Sequence, residues 1–141
     1  ENNPSNMFVT MIIGVLDLAS GNLKVCNAGH NPMIISNNDG IHYLELKKNL
    51  PVGLMVDFDY REDLLKMNPG DKLILYTDGV TEAESETKEL FGEKRLIELV
   101  EQNKQKDVRE IIALLMSGIA QHVKSAVQSD DITIMDIQYK S

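Results

Sequence analysis

Leu73-Ile74-Leu75-Tyr76-Thr77-Asp78-Gly79-Val80-Thr81-Glu82-Ala83 is the stretch from which the fold is read. Its first five residues are continuously apolar or β-forming, the pattern of a strand buried in a core. The run stops at an acidic residue followed by glycine, so a carboxylate stands at the rim of that core. Held at the end of a rigid strand, beside a glycine that lets backbone or ligand come close, this carboxylate suits a hard cation. Asp-Gly is also among the commonest hairpin dipeptides, and a plain turn is the competing reading.

On the N-terminal side, Asn68-Pro69-Gly70-Asp71 is a strong turn that launches the central strand over 72–77. Earlier still, 7–16 is apolar at almost every position and rich in β-branched residues, which predicts a strand buried on both faces. Ala19-Ser20-Gly21-Asn22 turns it into a second strand over 23–27, and 33–35 and 41–46 follow as further short strands about Asp39-Gly40. The stretch 50–54 is extended and Pro-constrained, 58–67 alternates poorly, and polar 1–6 reads as a loop. On the C-terminal side, 82–89 is charged without a core pattern and reads as an exposed loop. A short helix is expected over 93–102, with Leu96, Ile97 and Val100 on one face. Asp107-Val108-Arg109-Glu110 fits a capping box opening a longer helix to about Ala126, on which His122 is expected at a solvated face. A closing strand over 132–139 comes after Ser129-Asp130-Asp131. Strands and hairpins, two helices, then a strand predict an α+β fold, mostly antiparallel sheet layered with helices. At 141 residues and 43% hydrophobic content the chain, 1–141, is expected to form a single domain.

A net charge of −8 argues against nucleic acid as a partner, because affinity for polyanions comes mainly from Lys and Arg. No run has the apolar length to cross a bilayer and the N-terminus has no signal region, so a cytoplasmic protein without direct membrane contact is expected. The single cysteine, Cys26, excludes an intrachain disulfide and a Cys-rich zinc site. Asn27-Ala28-Gly29-His30-Asn31-Pro32 follows it like a Cys-x5-Arg phosphate loop, but Pro32 stands where the phosphate-clamping arginine is required. Cysteine-nucleophile phosphatase chemistry is thereby ruled out.

Two acidic sites occupy special places: Asp78 just after the central strand, and Asp130 with Asp131 just before the last one. If these strands are antiparallel neighbours, the end of one lies beside the beginning of the other and the carboxylates meet at one rim. Their mutual repulsion is reversed by a divalent cation, and oxygen-only ligands point to Mg²⁺ or Mn²⁺ rather than zinc.

Six ordered segments carry a family resemblance: 6–11, 27–32, Leu50-Pro51-Val52-Gly53, 73–83, Leu90-Phe91-Gly92 and Asp130-Asp131-Ile132-Thr133. Together they resemble the PPM-type metal-dependent serine/threonine phosphatases, specifically the bacterial SpoIIE/RsbU group, over nearly all of 6–139. The resemblance implies a layered α/β/β/α sandwich with a binuclear Mg²⁺ or Mn²⁺ centre. It implies that Asp78 and Asp130 are metal ligands with Asp131, and Gly79 beside Asp78, in outer positions. It further implies hydrolysis of phosphoserine or phosphothreonine on an anti-sigma-factor antagonist, and an upstream sensory domain in the parent protein. The family also has an earlier Asp-x-x-Gly-x-Gly segment whose Asp bridges the metals, and nothing before Met7 matches it. The chain is therefore expected to correspond to the later part of the catalytic domain, holding metal weakly on its own.

No residue stands out as general acid, and His30 reads first as a hydrogen bonder that braces its loop. A non-catalytic partner-binding module is the alternative, motivated by the unmatched segment. An aspartate-nucleophile phosphatase fits less well, since Asp78-Gly79-Val80-Thr81 lacks the second Asp two residues on. If a strand normally lies beside 7–16, its absence leaves a sheet edge that invites a homodimer.

Overall fold

The computed structural model describes residues 7–128 and 130–140. The loop expected over 1–6, and Ser129, lie outside these described residues.

The apolar N-terminal run becomes β1 (Met11–Leu16), and Asp17 caps the turn after it by accepting the amides of Ala19 and Ser20. The chain returns as β2 (Asn22–Ala28), antiparallel to β1 with Leu16 opposite Leu23 and Met11 opposite Ala28. Beyond the 27–32 loop, β3 (Ile34–Asn37) and β4 (Gly40–Tyr43) form a hairpin, and β5 (Asp63–Lys66) returns to pair with β2. The central strand β6 (Lys72–Tyr76) is followed by a one-turn helix α1 (Asp78–Thr81), then by α2 (Gly92–Gln102), α3 (Val108–Val123) and β7 (Ile134–Gln138). The strands assemble into two antiparallel sheets, β1-β2-β5 and β4-β3-β6-β7.

Alternation in the strands gives each sheet its packing face. In the four-stranded sheet Ile34 lies opposite Ile74, and both point to the helices, where they join Tyr76, Leu96, Val100, Ile111, Leu115 and Ile119. Ile35 lies opposite Leu73 and points the other way, packing on Leu23, Val25, Met33 and Met67 between the sheets. Burying each such side chain is worth about 1.5–3 kcal/mol, so these two cores outweigh local propensity in fixing the layers. α3 opens with the expected capping box: the Asp107 carboxylate accepts the Glu110 amide at 2.9 Å and Glu110 returns to the Asp107 amide at 3.2 Å. Among the described residues no helix is long and apolar enough to cross a membrane.

Four expectations need correction. The strand predicted over 7–16 forms only from Met11 and is not buried on both faces: Ile13 and Val15 are 60% and 66% exposed. They stand on the outer face of the three-stranded sheet, which no helix among the described residues covers, so the layers observed are β/β/α. A third, very short helix begins at Asp78 where the sequence suggested either a ligand or a turn. α3 ends at Val123 rather than near Ala126, because Lys124 takes up a left-handed φ of 54°. His122 does not simply face solvent: its Nε2 meets the Glu89 carbonyl at 2.8 Å and its ring stands edge-on to Phe91, tying the 82–91 loop to α3.

Candidate metal centre

β6 and β7 are antiparallel neighbours, with Tyr76 opposite Ile134, so the residues leaving β6 lie beside those entering β7. Thr77 makes this junction specific. Its amide donates to the Thr133 carbonyl at 3.1 Å, while its hydroxyl accepts the Thr133 amide at 2.9 Å and donates to the Asp131 carbonyl at 2.8 Å. Thr77 is also the N-cap residue of α1 but makes no side-chain cap bond, because its hydroxyl is engaged across the strands.

Gly79 brings the two segments into contact. A Cβ placed there would lie 2.5 Å from the Asp131 carbonyl oxygen, closer than side-chain carbons are found, so only glycine lets the backbones touch. Asp78 is the first residue of α1, and its Oδ1 accepts the Gly79 amide at 3.0 Å. Asp130 is oriented in the same way, its Oδ1 accepting the Asp131 amide at 2.7 Å and its carbonyl accepting from the Gln128 amide group at 2.6 Å. In both, one carboxylate oxygen is held by the next amide, which fixes the side chain over its own backbone.

Asp78, Asp130 and Asp131 are all exposed, and their segments share one rim of the four-stranded sheet. This oxygen-only donor set fits a hard cation such as Mg²⁺ or Mn²⁺. It falls short of a full coordination shell: among the described residues no group of three or more His, Cys, Asp or Glu side chains is arranged to hold a metal. His30 stands in the 27–32 loop, which reaches the same end of the sheet because Ile34 pairs with Ile74. Its amide donates to Asn27 Oδ1 at 2.8 Å and its Nδ1 meets the Thr10 hydroxyl at 3.2 Å, the bracing arrangement expected of it. Cys26 is half-buried in β2, 3.5 Å from the Asn49 amide group. No local sequence signal marks Thr77, because its partners at 131 and 133 lie far along the chain.

The sequence model of the family described as Stage II sporulation protein E (SpoIIE) matches residues 1–140. The chain belongs to the SpoIIE family. Among curated relatives, the protein IcfG of Synechocystis sp. is 41% identical over 138 residues, 97% of this chain and 22% of IcfG. The phosphoserine phosphatase RsbU of Bacillus subtilis is 26% identical over 141 residues, covering 99% of this chain and 42% of RsbU. The chain thus spans less than half the length of either relative. Among solved structures, a manganese-presoaked phosphatase domain of the cell fate determinant SpoIIE from Bacillus subtilis superposes with a TM-score of 0.71. It is 25% identical, and the match covers 94% of this chain and 56% of that one. The α+β architecture of antiparallel sheets with few helices is therefore that of PP2C-type phosphatase domains.

Proposed function

We propose that this SpoIIE-family chain contributes to metal-dependent hydrolysis of phosphoserine or phosphothreonine on a regulatory protein. The observation that carries the reading is the contact of the Asp78–Gly79 backbone with Asp131, locked by the Thr77 hydroxyl. Asp78 and Asp130 are the metal ligands in this reading, each with an oxygen to offer beyond the one held by a neighbouring amide. Asp131 and Gly79 shape the outer side, Asp131 with its carboxylate and Gly79 by the close approach it permits. Mg²⁺ or Mn²⁺, two ions in a complete centre, would supply a water of lowered pKa and compensate charge on the phosphoryl oxygens. Asp78 remains a ligand throughout and forms no phosphoenzyme.

RsbU is named a phosphoserine phosphatase, which supports a phosphoserine protein as the substrate class; an anti-sigma-factor antagonist as that protein, met in the cytoplasm, is what the family resemblance implies. The edge of β1, unpaired with another strand among the described residues and with Ile13 and Val15 exposed beside it, supports a homodimer through that edge. A strictly monomeric species in sedimentation at high concentration would remove the dimer. The activity is tested by phosphate release from a phosphoserine protein with Mn²⁺, using the full-length protein that contains this chain. Asp78→Asn must abolish release, and an unchanged rate refutes the assignment. The absence of a three-ligand group among the described residues favours the second reading, a non-catalytic partner-binding module. That reading takes over if the full-length protein binds its phosphoprotein equally well with and without metal and releases no phosphate.

A further inference from the structure

A cavity of about 330 Å³ opens between the 27–32 loop and the segment following β4. Its position is set by pairing: Ile34 lies opposite both Ile74 and Tyr43, so the residues before β3 and after β4 emerge at the end of the sheet where β6 runs into Asp78. Pro32, Leu44 and Leu46 give it apolar walls, while His30, Lys47 and Lys48 supply the polar rim, and among the described residues no carboxylate lines it. Arg61 adds a third permanent cation, its guanidinium donating to the Lys48 carbonyl at 3.1 Å. Lys47, Lys48 and Arg61 form no ion pair among the described residues. Lys47 is partly engaged, its ammonium donating to the Glu62 carbonyl at 2.8 Å and its amide to the Asp63 carboxylate at 2.9 Å, while the Glu62 carboxylate faces Lys24 at 3.5 Å. A chain with 22 acidic and 14 basic side chains thus gathers Lys47, Lys48 and Arg61 beside an apolar pocket, with exposed Glu45 and the Asp63 carboxylate as the neighbouring negative charges.

The walls are preorganised. The Asn49 side chain donates to the carbonyls of Asn27 at 3.2 Å and Arg61 at 3.0 Å and accepts the Arg61 amide at 2.9 Å, stitching three segments together. Gly29, at a φ of 72°, lies so close to Pro51 that a Cβ would meet its ring at 2.5 Å. A ligand entering here pays little to order the site.

We propose that this pocket docks an extended protein segment in which apolar and acidic residues alternate, the apolar side chains seated beside Leu44 and Leu46 and a carboxylate on Lys48. It rests on the phosphatase reading, in which the segment belongs to the substrate and flanks its phosphorylated residue.

The test is binding rather than turnover. A fluorescently labelled peptide of alternating Leu and Glu, without phosphate, is titrated into the 141-residue chain beside its Leu/Gln isostere, and amide NMR shifts locate the site. The Glu peptide binds about tenfold tighter at low ionic strength and loses the advantage at about 1 M salt, where the screening length falls to ~3 Å. Shifts centre on 29–32 and 44–49. Lys48→Glu removes the preference and Lys48→Arg keeps it; among the described residues the Lys48 side chain makes no hydrogen bond, so an unaltered melting profile certifies the fold. Asp78→Asn leaves peptide binding unchanged, which separates this outcome from failure of the phosphatase reading. Equal binding of the two peptides, a preference that survives Lys48→Glu, shifts elsewhere, or displacement by inorganic phosphate but not by chloride at the same ionic strength, which marks a simple anion site, each overturns the proposal.

Discussion

Replacing Asp136 by asparagine is expected to stabilise the protein at neutral pH. Asp136 lies in the middle of β7 opposite Ile74, on the face that packs against the helices, and both carboxylate oxygens are buried without a hydrogen-bond partner. The nearest compensating charge, Lys72, is committed elsewhere: its ammonium donates to the Lys104 carbonyl at 2.9 Å and to the Lys106 carbonyl. Burial therefore dominates and pushes the Asp136 carboxyl up from 3.8 to about 6, with Lys72 opposing only in part. A carboxyl raised on folding stabilises the folded state fully below its unfolded value and loses that contribution as pH rises through the folded one. At about 1.4 kcal/mol per pH unit, the loss between pH ~4 and pH ~7 is at most about 3 kcal/mol. Asp136→Asn mimics the protonated form at every pH. Urea unfolding across this range should show the variant gaining on the parent by about 1–3 kcal/mol from acid to neutral conditions, with the gain saturating above pH ~7. A difference between variant and parent that does not change with pH, or that grows toward acid, refutes the reasoning.

Thr77→Val keeps the shape but leaves the Thr133 amide and the Asp131 carbonyl to water in place of their shared partner, and should cost about 0.5–1.5 kcal/mol in chemical denaturation. Thr77→Ser should recover most of it, since the hydroxyl is what matters. Gly79→Ala forces a methyl against the Asp131 carbonyl and should cost about 1–3 kcal/mol, with amide shifts changing at 130–133 as well as at 78–80.

The elements that sequence revealed are those whose signals are local. The apolar run of β6 with its Asp-Gly terminus, the Asp107/Glu110 capping box and the β1–β2 hairpin are each written within a dozen residues. The antiparallel approach of β6 to β7 enters the sequence reading only as a condition for the acidic strand ends to meet, and strand register in the structure supplies it. Exposure of Ile13 and Val15 was not legible, because an apolar run in one strand says nothing about whether a layer covers it. Nor was the task of Thr77, whose partners at 131 and 133 are set by strand register, or the burial of Asp136, which reads as an ordinary polar alternation in β7.

The account turns on Asp78 and Asp130 gripping the same ion, and Mn²⁺ titration followed by amide NMR addresses that directly through paramagnetic broadening. Signals of 78–79 and 130–131 should broaden together at the same Mn²⁺ concentration, and Asp78→Asn or Asp130→Asn should relieve the broadening in both segments. Broadening confined to one segment, or persisting at 130–131 after Asp78→Asn, contradicts a shared site.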